Sequence, residues 1–200
     1  MDVSAERGFL SGAATEAAPH LLDALITHDS PDGTVTLRIT EVEAYAGQHD
    51  PASHAFRGPT PRTEVMFGPA GRLYVYRSHG LHWCANIVTG PEGEASAVLL
   101  RGAEVIDGID LARHRRGPTI RDRDLARGPG RFCQALGVTG AHGGVDLSTG
   151  ELRLSALGTA PGQRIRTGPR VGVSRAADRP WRFWLDGEAT VSPYRASPDD

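Results

Sequence analysis

Arg38-Ile39-Thr40-Glu41-Val42-Glu43-Ala44-Tyr45 is the stretch from which the rest of the chain is best read. It alternates like a β-strand, with Ile39, Glu41, Glu43 and Tyr45 on one face and Thr40, Val42 and Ala44 on the other. A strand through the middle of a domain rarely gives two positions of one face to carboxylates, because an unpaired buried charge is costly. Two readings follow. In one, the octet is an edge strand with a solvated acidic face. In the other, Glu41 and Glu43 raise each other's proton affinity, one is poised as a base, and Tyr45 supplies an aromatic surface beside them.

The flanking sequence supports a folded domain around this strand. Thr34–Tyr45 reads as one long strand, entered from the turn Asp29-Ser30-Pro31-Asp32-Gly33. Upstream, residues 5–28 carry Leu and Ala at helical spacing, and Pro19 is expected to open a second short helix over His20–Ile26. Residues 1–30 thus form a helical preamble. Downstream, Gly47 to Pro61 has no periodicity and is rich in Gly, Pro, Asp and His, the composition of a functional loop between strands. Arg72–Tyr76, Leu81–Val88 and Ala97–Arg101 are expected strands, with Pro91-Glu92-Gly93-Glu94 as a hairpin tip. Residues 104–114 and 122–136 are expected helices, the second opened by Asp122 or Asp124 and closed at Gly137. Gly158 to Pro169 reads as loop, and Arg170–Ser174 and Arg182–Leu185 as final strands. The expected fold is a single α+β domain over residues 1–200, a mostly antiparallel curved sheet flanked by helices.

Composition narrows the function classes. The 200 residues carry a formal net charge of −2 and no Lys, so all 22 basic side chains are Arg. The first hundred residues hold six Arg against twelve Asp and Glu (6 − 12 = −6) and the second hundred sixteen against twelve (16 − 12 = +4). Arg-rich stretches at 113–131 and 164–182 suit an anionic ligand. Cys84 and Cys133 give no disulfide framework and read as small core residues. With no signal-like start or apolar run of membrane length, a reduced cytoplasmic location is expected.

Several chemistry-bearing residues converge on the octet. His54, at the end of Asp50-Pro51-Ala52-Ser53-His54, can fold back over the Glu43–Tyr45 face. Tyr74 and Tyr76 share a strand face, and Asn86 needs a hydrogen-bond partner within its apolar run. Singly, each has an ordinary structural explanation. Together with Thr40–Tyr45, Thr60-Pro61-Arg62, Met66-Phe67, Leu73–Tyr76, Gly80, Cys84-Ala85-Asn86, Val98–Arg101, Gly128-Pro129, Cys133–Leu136 and Arg170–Val173, they make a sequence that resembles the alkyladenine (3-methyladenine) DNA glycosylase family over residues 34–190.

That resemblance implies an enzyme that flips damaged purines out of double-stranded DNA and hydrolyses the N-glycosidic bond. It implies that Glu43 activates the water, with Arg101 and the backbone carbonyl of Val171 beside it. It also implies that Tyr45 stacks on one face of the base and His54 and Tyr76 on the other, while Asn86 excludes the guanine amino group. Thr60 and Arg62 are implied phosphate contacts. The family's wedge tyrosine before Gly80 is replaced here by His79. No cofactor or metal is expected, and a monomer is. Two rival readings are a non-catalytic binder of damaged DNA and a metal hydrolase. The second would draw on His49, His54, His79, His82 and Cys84, but it has no CxxC or HExxH, and His79 and His82 would fall on opposite faces of one strand.

Overall fold

The structure, a computed structural model, describes residues 5–155 and 164–197. In chain order it runs through α1 (Ala14–Leu21), β1 (Leu25–Ser30), β2 (Gly33–Tyr45), β3 (Leu73–Ser78), β4 (His82–Val88), β5 (Ala97–Asp107), α2 (Ile109–Arg116), β6 (Ala126–Arg127), α3 (Pro129–Leu136), β7 (Leu152–Ser155), β8 (Ile165–Gly168) and β9 (Arg182–Leu185). The strands form one open antiparallel sheet whose main path is β3-β4-β5-β2-β1-β7. β6 pairs with β5, and β9 pairs with both β2 and β8. The fold class is α+β, as expected.

β2 lies between β1 and β5, not at an edge, which removes the solvated-face reading of the octet. Its alternation is not continuous. The β2–β5 register shifts between Ile39 and Glu41 and again between Glu41 and Val42. A bulge adds a residue and resets which face a side chain occupies. Ile39 therefore joins Val42 and Ala44 in the hydrophobic core and does not share the carboxylate face. Gly102 lies opposite Glu41, where a Cβ would sit 2.9 Å from the Thr190 carbonyl and 3.1 Å from the Glu41 Cβ. Only glycine lets the two strands close over this irregularity.

The core packs α1 and α3 against the sheet. Leu21, Leu22, Leu37, Leu100, Phe132 and Leu136 are fully buried within it, each burial stabilising by about 1.5–3 kcal/mol. A second, smaller cluster of Ala55, Met66, Tyr74, Val88, Ala95 and Ala97 holds the 47–68 loop onto β3 and β4. Gly47 starts that loop in a left-handed conformation (φ 51°), and a Cβ there would strike the Ala95 carbonyl at 2.0 Å.

Five segments differ from the sequence expectation. Pro19 sits in the last turn of α1, and the expected helix over His20–Ile26 gives way to β1. The helix expected over 104–114 begins only at Ile109, because β5 continues to Asp107 and stops at Gly108 (φ 73°). Within 122–136, only Pro129–Leu136 is α-helix, capped by Gly137. Ile165–Gly168 is a strand where loop was expected, whereas residues 158–163 lie outside the described residues. Arg170–Ser174 is irregular, not a strand.

Candidate active site

The two carboxylates of the octet are both fully buried, yet they are partnered differently. Glu41 accepts from Arg101 Nε (3.0 Å), Arg182 Nε (2.6 Å), the Ser192 backbone N–H (2.6 Å) and the Ser192 hydroxyl (2.9 Å). Two guanidinium groups and two neutral donors saturate it, so its role is to knit β2 to β5, β9 and the 190–192 segment.

Glu43 is held by lighter contacts. Its Oε1 accepts the Val171 N–H at 2.8 Å, its Oε2 accepts the Tyr45 hydroxyl at 3.0 Å, and Arg101 Nε stands 3.5 Å from Oε1. A carboxylate has about four acceptor positions, so capacity for a water remains. Burial pushes the Glu43 carboxyl above its ordinary range, while Arg101 and the Val171 N–H pull it back. The Val171 amide thus reaches Glu43 directly, while its carbonyl is the group that the resemblance sets beside the water.

Glu43 lies on the wall of a cavity of about 630 Å³. Tyr45, His54, Tyr76, Asn86 and Arg101 line it too, as do Arg62 and His79, so eight of the expected site residues meet there with Val171. Thr60 does not join them. Its hydroxyl is 2.9 Å from that of Thr63 and closes a local turn.

The walls are aromatic. Tyr76 stacks against Tyr74 at 5.7 Å between centroids, and His54 meets Tyr76 edge-on at 4.5 Å. His54 Nδ1 is 3.1 Å from the Tyr74 hydroxyl, and its Nε2 is 3.4 Å from Arg62 Nη2. Because Arg can only donate, Nε2 is the acceptor and Nδ1–H donates to Tyr74. Packing around the ring and the Arg62 charge push the His54 imidazole down to about 4, so it is neutral at physiological pH. Asn86 stands across from Tyr74 in the β3–β4 ladder and donates Nδ2–H to the Tyr74 carbonyl at 3.1 Å. Cys84 is buried beneath Tyr76, and burial raises its thiol. His79 is exposed at the β3–β4 hairpin tip with φ 47°, followed by Gly80 at φ 69°. It therefore lies between β3 and β4, outside the strand that begins at His82. Among the described residues, no three His, Cys, Asp or Glu side chains are placed to share a metal ion.

One arrangement escaped the sequence reading. Arg170 and Asp50 form a buried bidentate pair, Nη2 to Oδ1 being 2.9 Å, and Arg170 also donates to the Ala44 carbonyl at 3.0 Å. Its guanidinium lies 4.6 Å from the Tyr45 ring centroid and 5.2 Å from that of Trp181. This slab backs Tyr45, fixing the ring that reaches Glu43, and it positions Val171 next to it in sequence. Both residues stand inside the motifs that carried the resemblance, but no local pattern pairs positions 120 residues apart.

Among the described residues, no helix is long and apolar enough to cross a membrane. The methylpurine-DNA glycosylase family model matches residues 8–189. Relatives provisionally named 3-methyladenine DNA glycosylases include one from Leifsonia xyli subsp. xyli, 52% identical over 93% of this chain and 90% of its own. Another, from Frankia casuarinae, is 54% identical over 89% of this chain and 87% of its own. A third, from Mycobacterium tuberculosis, is 54% identical over 82% of each.

Proposed function

This chain belongs to the methylpurine-DNA glycosylase family, and from that premise we propose that it excises alkylated or deaminated purines from double-stranded DNA as a monofunctional hydrolase. The observation that carries the mechanism is the contrast between the carboxylates: Glu41 is saturated by two arginines and Ser192, while Glu43 faces the cavity with acceptor capacity to spare.

The damaged nucleotide is turned out of the duplex and its base enters the cavity. Tyr45 covers one face of the base, and Tyr76 and His54 the other, each stack being worth about 1–3 kcal/mol. A water held against Glu43 attacks C1′ of the sugar. Its proton passes to the carboxylate, and the N-glycosidic electron pair leaves with the base. Burial favours this transfer by raising the affinity of Glu43 for a proton. Arg101 and the Val171 N–H keep enough charge on the carboxylate for it to accept one, and that charge also faces the cation developing on the sugar. Asn86 rejects guanine through its exocyclic amino group, and His79 enters the duplex as the wedge.

The test is release of free base from duplexes that carry hypoxanthine, 1,N6-ethenoadenine, 7-methylguanine or 3-methyladenine, read by mass spectrometry. Release of at least one, with the strand left uncut, is expected. Tight lesion binding without release would make the protein a damage binder.

A further inference from the structure

We propose that Arg62 sets the charge preference of the base pocket, disfavouring purines that carry a formal positive charge relative to neutral ones. This deepens the function proposed above and rests on it. The resemblance implies a phosphate contact for Arg62, and in the structure its guanidinium lies against the aromatic wall of the cavity. Its Cζ lies 5.4 Å from the Tyr76 ring centroid, and its Nη2 is 3.4 Å from His54 Nε2. Among the described residues, no carboxylate forms an ion pair with it.

The surroundings make that charge count. Four arginines line the cavity (Arg62, Arg77, Arg101 and Arg175) against a single carboxylate, Glu43. Arg101 is committed to Glu41 and Glu43 and Arg77 lies over Trp83, whereas Arg62 lies over Tyr76, an aromatic wall of the cavity. Aromatic walls alone would favour electron-poor, cationic bases. Here the Tyr76 ring already carries a guanidinium. A cationic base stacking there must expel Arg62 or tolerate a second positive charge beside it. A neutral purine meets no such repulsion, and an acceptor on its edge can take the hydrogen bond that Arg62 gives to His54.

The test compares two lesions that both block the Watson–Crick edge of adenine in one duplex sequence: 1-methyladenine, cationic at neutral pH, and the neutral, one-ring-larger 1,N6-ethenoadenine, whose difference in shape is common to all the protein variants and cancels when their ratios are compared. Dissociation constants are measured at fixed salt for wild type, Arg62→Gln and Arg62→Lys, with undamaged duplex as reference. Arg62 is exposed on a loop, so neither variant threatens folding. Arg62→Gln is expected to shift the ratio towards 1-methyladenine by about 5- to 10-fold, the scale of one partly exposed cation–π contact. Arg62→Lys should hold the ratio within about threefold, since the charge stays. An unchanged ratio in Arg62→Gln overturns the proposal. So does equal weakening on all three duplexes with a shallower salt dependence, which would return Arg62 to the phosphates. A wild type that ranks the lesions by charge but releases no base would sink the catalytic reading alone.

Discussion

Asp50→Ala should be among the most damaging single changes in this protein, although Asp50 makes no contact with Glu43. The Asp50 and Arg170 side chains are both 0% exposed, so the substitution strands a guanidinium between Tyr45 and Trp181. The carbonyls of Ala44 and Ala176 remain as acceptors at 3.0 and 3.4 Å, but neither carries a counter-charge. Removing one partner of a buried pair typically costs about 3–5 kcal/mol, a large share of the ~5–15 kcal/mol that holds a domain together. At about 2–4 °C per kcal/mol for a chain of this size, the melting midpoint should fall by roughly 6–20 °C. Urea melts of wild type, Asp50→Ala, Arg170→Met and the Asp50→Leu/Arg170→Met double variant measure the cost. The double variant should lose less than the two singles together, because it leaves no unpaired charge. A loss under about 1 kcal/mol in Asp50→Ala would refute the reasoning, since the pair would then behave as a solvated one.

Further outcomes follow from the same geometry. Glu41→Gln should destabilise by about 3–5 kcal/mol, because it leaves Arg101 and Arg182 sharing a neutral amide; a melt within ~0.5 kcal/mol of wild type would deny Glu41 its structural role. Single-turnover excision should rise with pH along one acid limb as Glu43 ionises, and fall as pH drops through a value above the ordinary 4.5. His54, neutral above about 4, should add no step between pH 6 and 7; a step there that vanishes in His54→Gln would contradict its assignment. His79→Tyr should tighten lesion-duplex binding several-fold, roughly 3- to 10-fold, by restoring stacking area at the hairpin tip. Equal affinities for wild type, His79→Tyr and His79→Ala would place His79 outside the duplex.

What could be read in the sequence was what depends on near neighbours. The long β2 strand, the Gly-rich loop after it and the β3 and β4 runs announce themselves through alternation and turn residues. The errors arose where a distant partner outweighs local pattern. Glu104 to Asp107 look helical beside the residues that follow, but the first half of β2 claims them as strand, and Gly108 ends the pairing. Arg170-Val171-Gly172-Val173 alternates like a strand. Its Arg is taken by Asp50, its Val171 amide by Glu43, and Gly172 adopts φ 68°, so no ladder forms. The site shows the same division. The family resemblance named Glu43, Tyr45, His54, Tyr76, Asn86 and Arg101 as one group, and the cavity brings them together. The difference between Glu41 and Glu43 is set by Arg182, Ser192 and Val171, all more than 120 residues away, and no spacing within the octet encodes it.

The central claim is that Glu43 activates the water, and one comparison tests it most directly: single-turnover base release and duplex binding by wild type and Glu43→Gln on the same lesion duplex. Glutamine preserves the size of the side chain and can still accept the Val171 N–H. The account predicts a loss of base release of about 10²–10⁴-fold, the usual contribution of a general base, with lesion affinity kept within about threefold, well under 1 kcal/mol. Release at more than about a tenth of the wild-type rate, a barrier change below 1.4 kcal/mol, would contradict it.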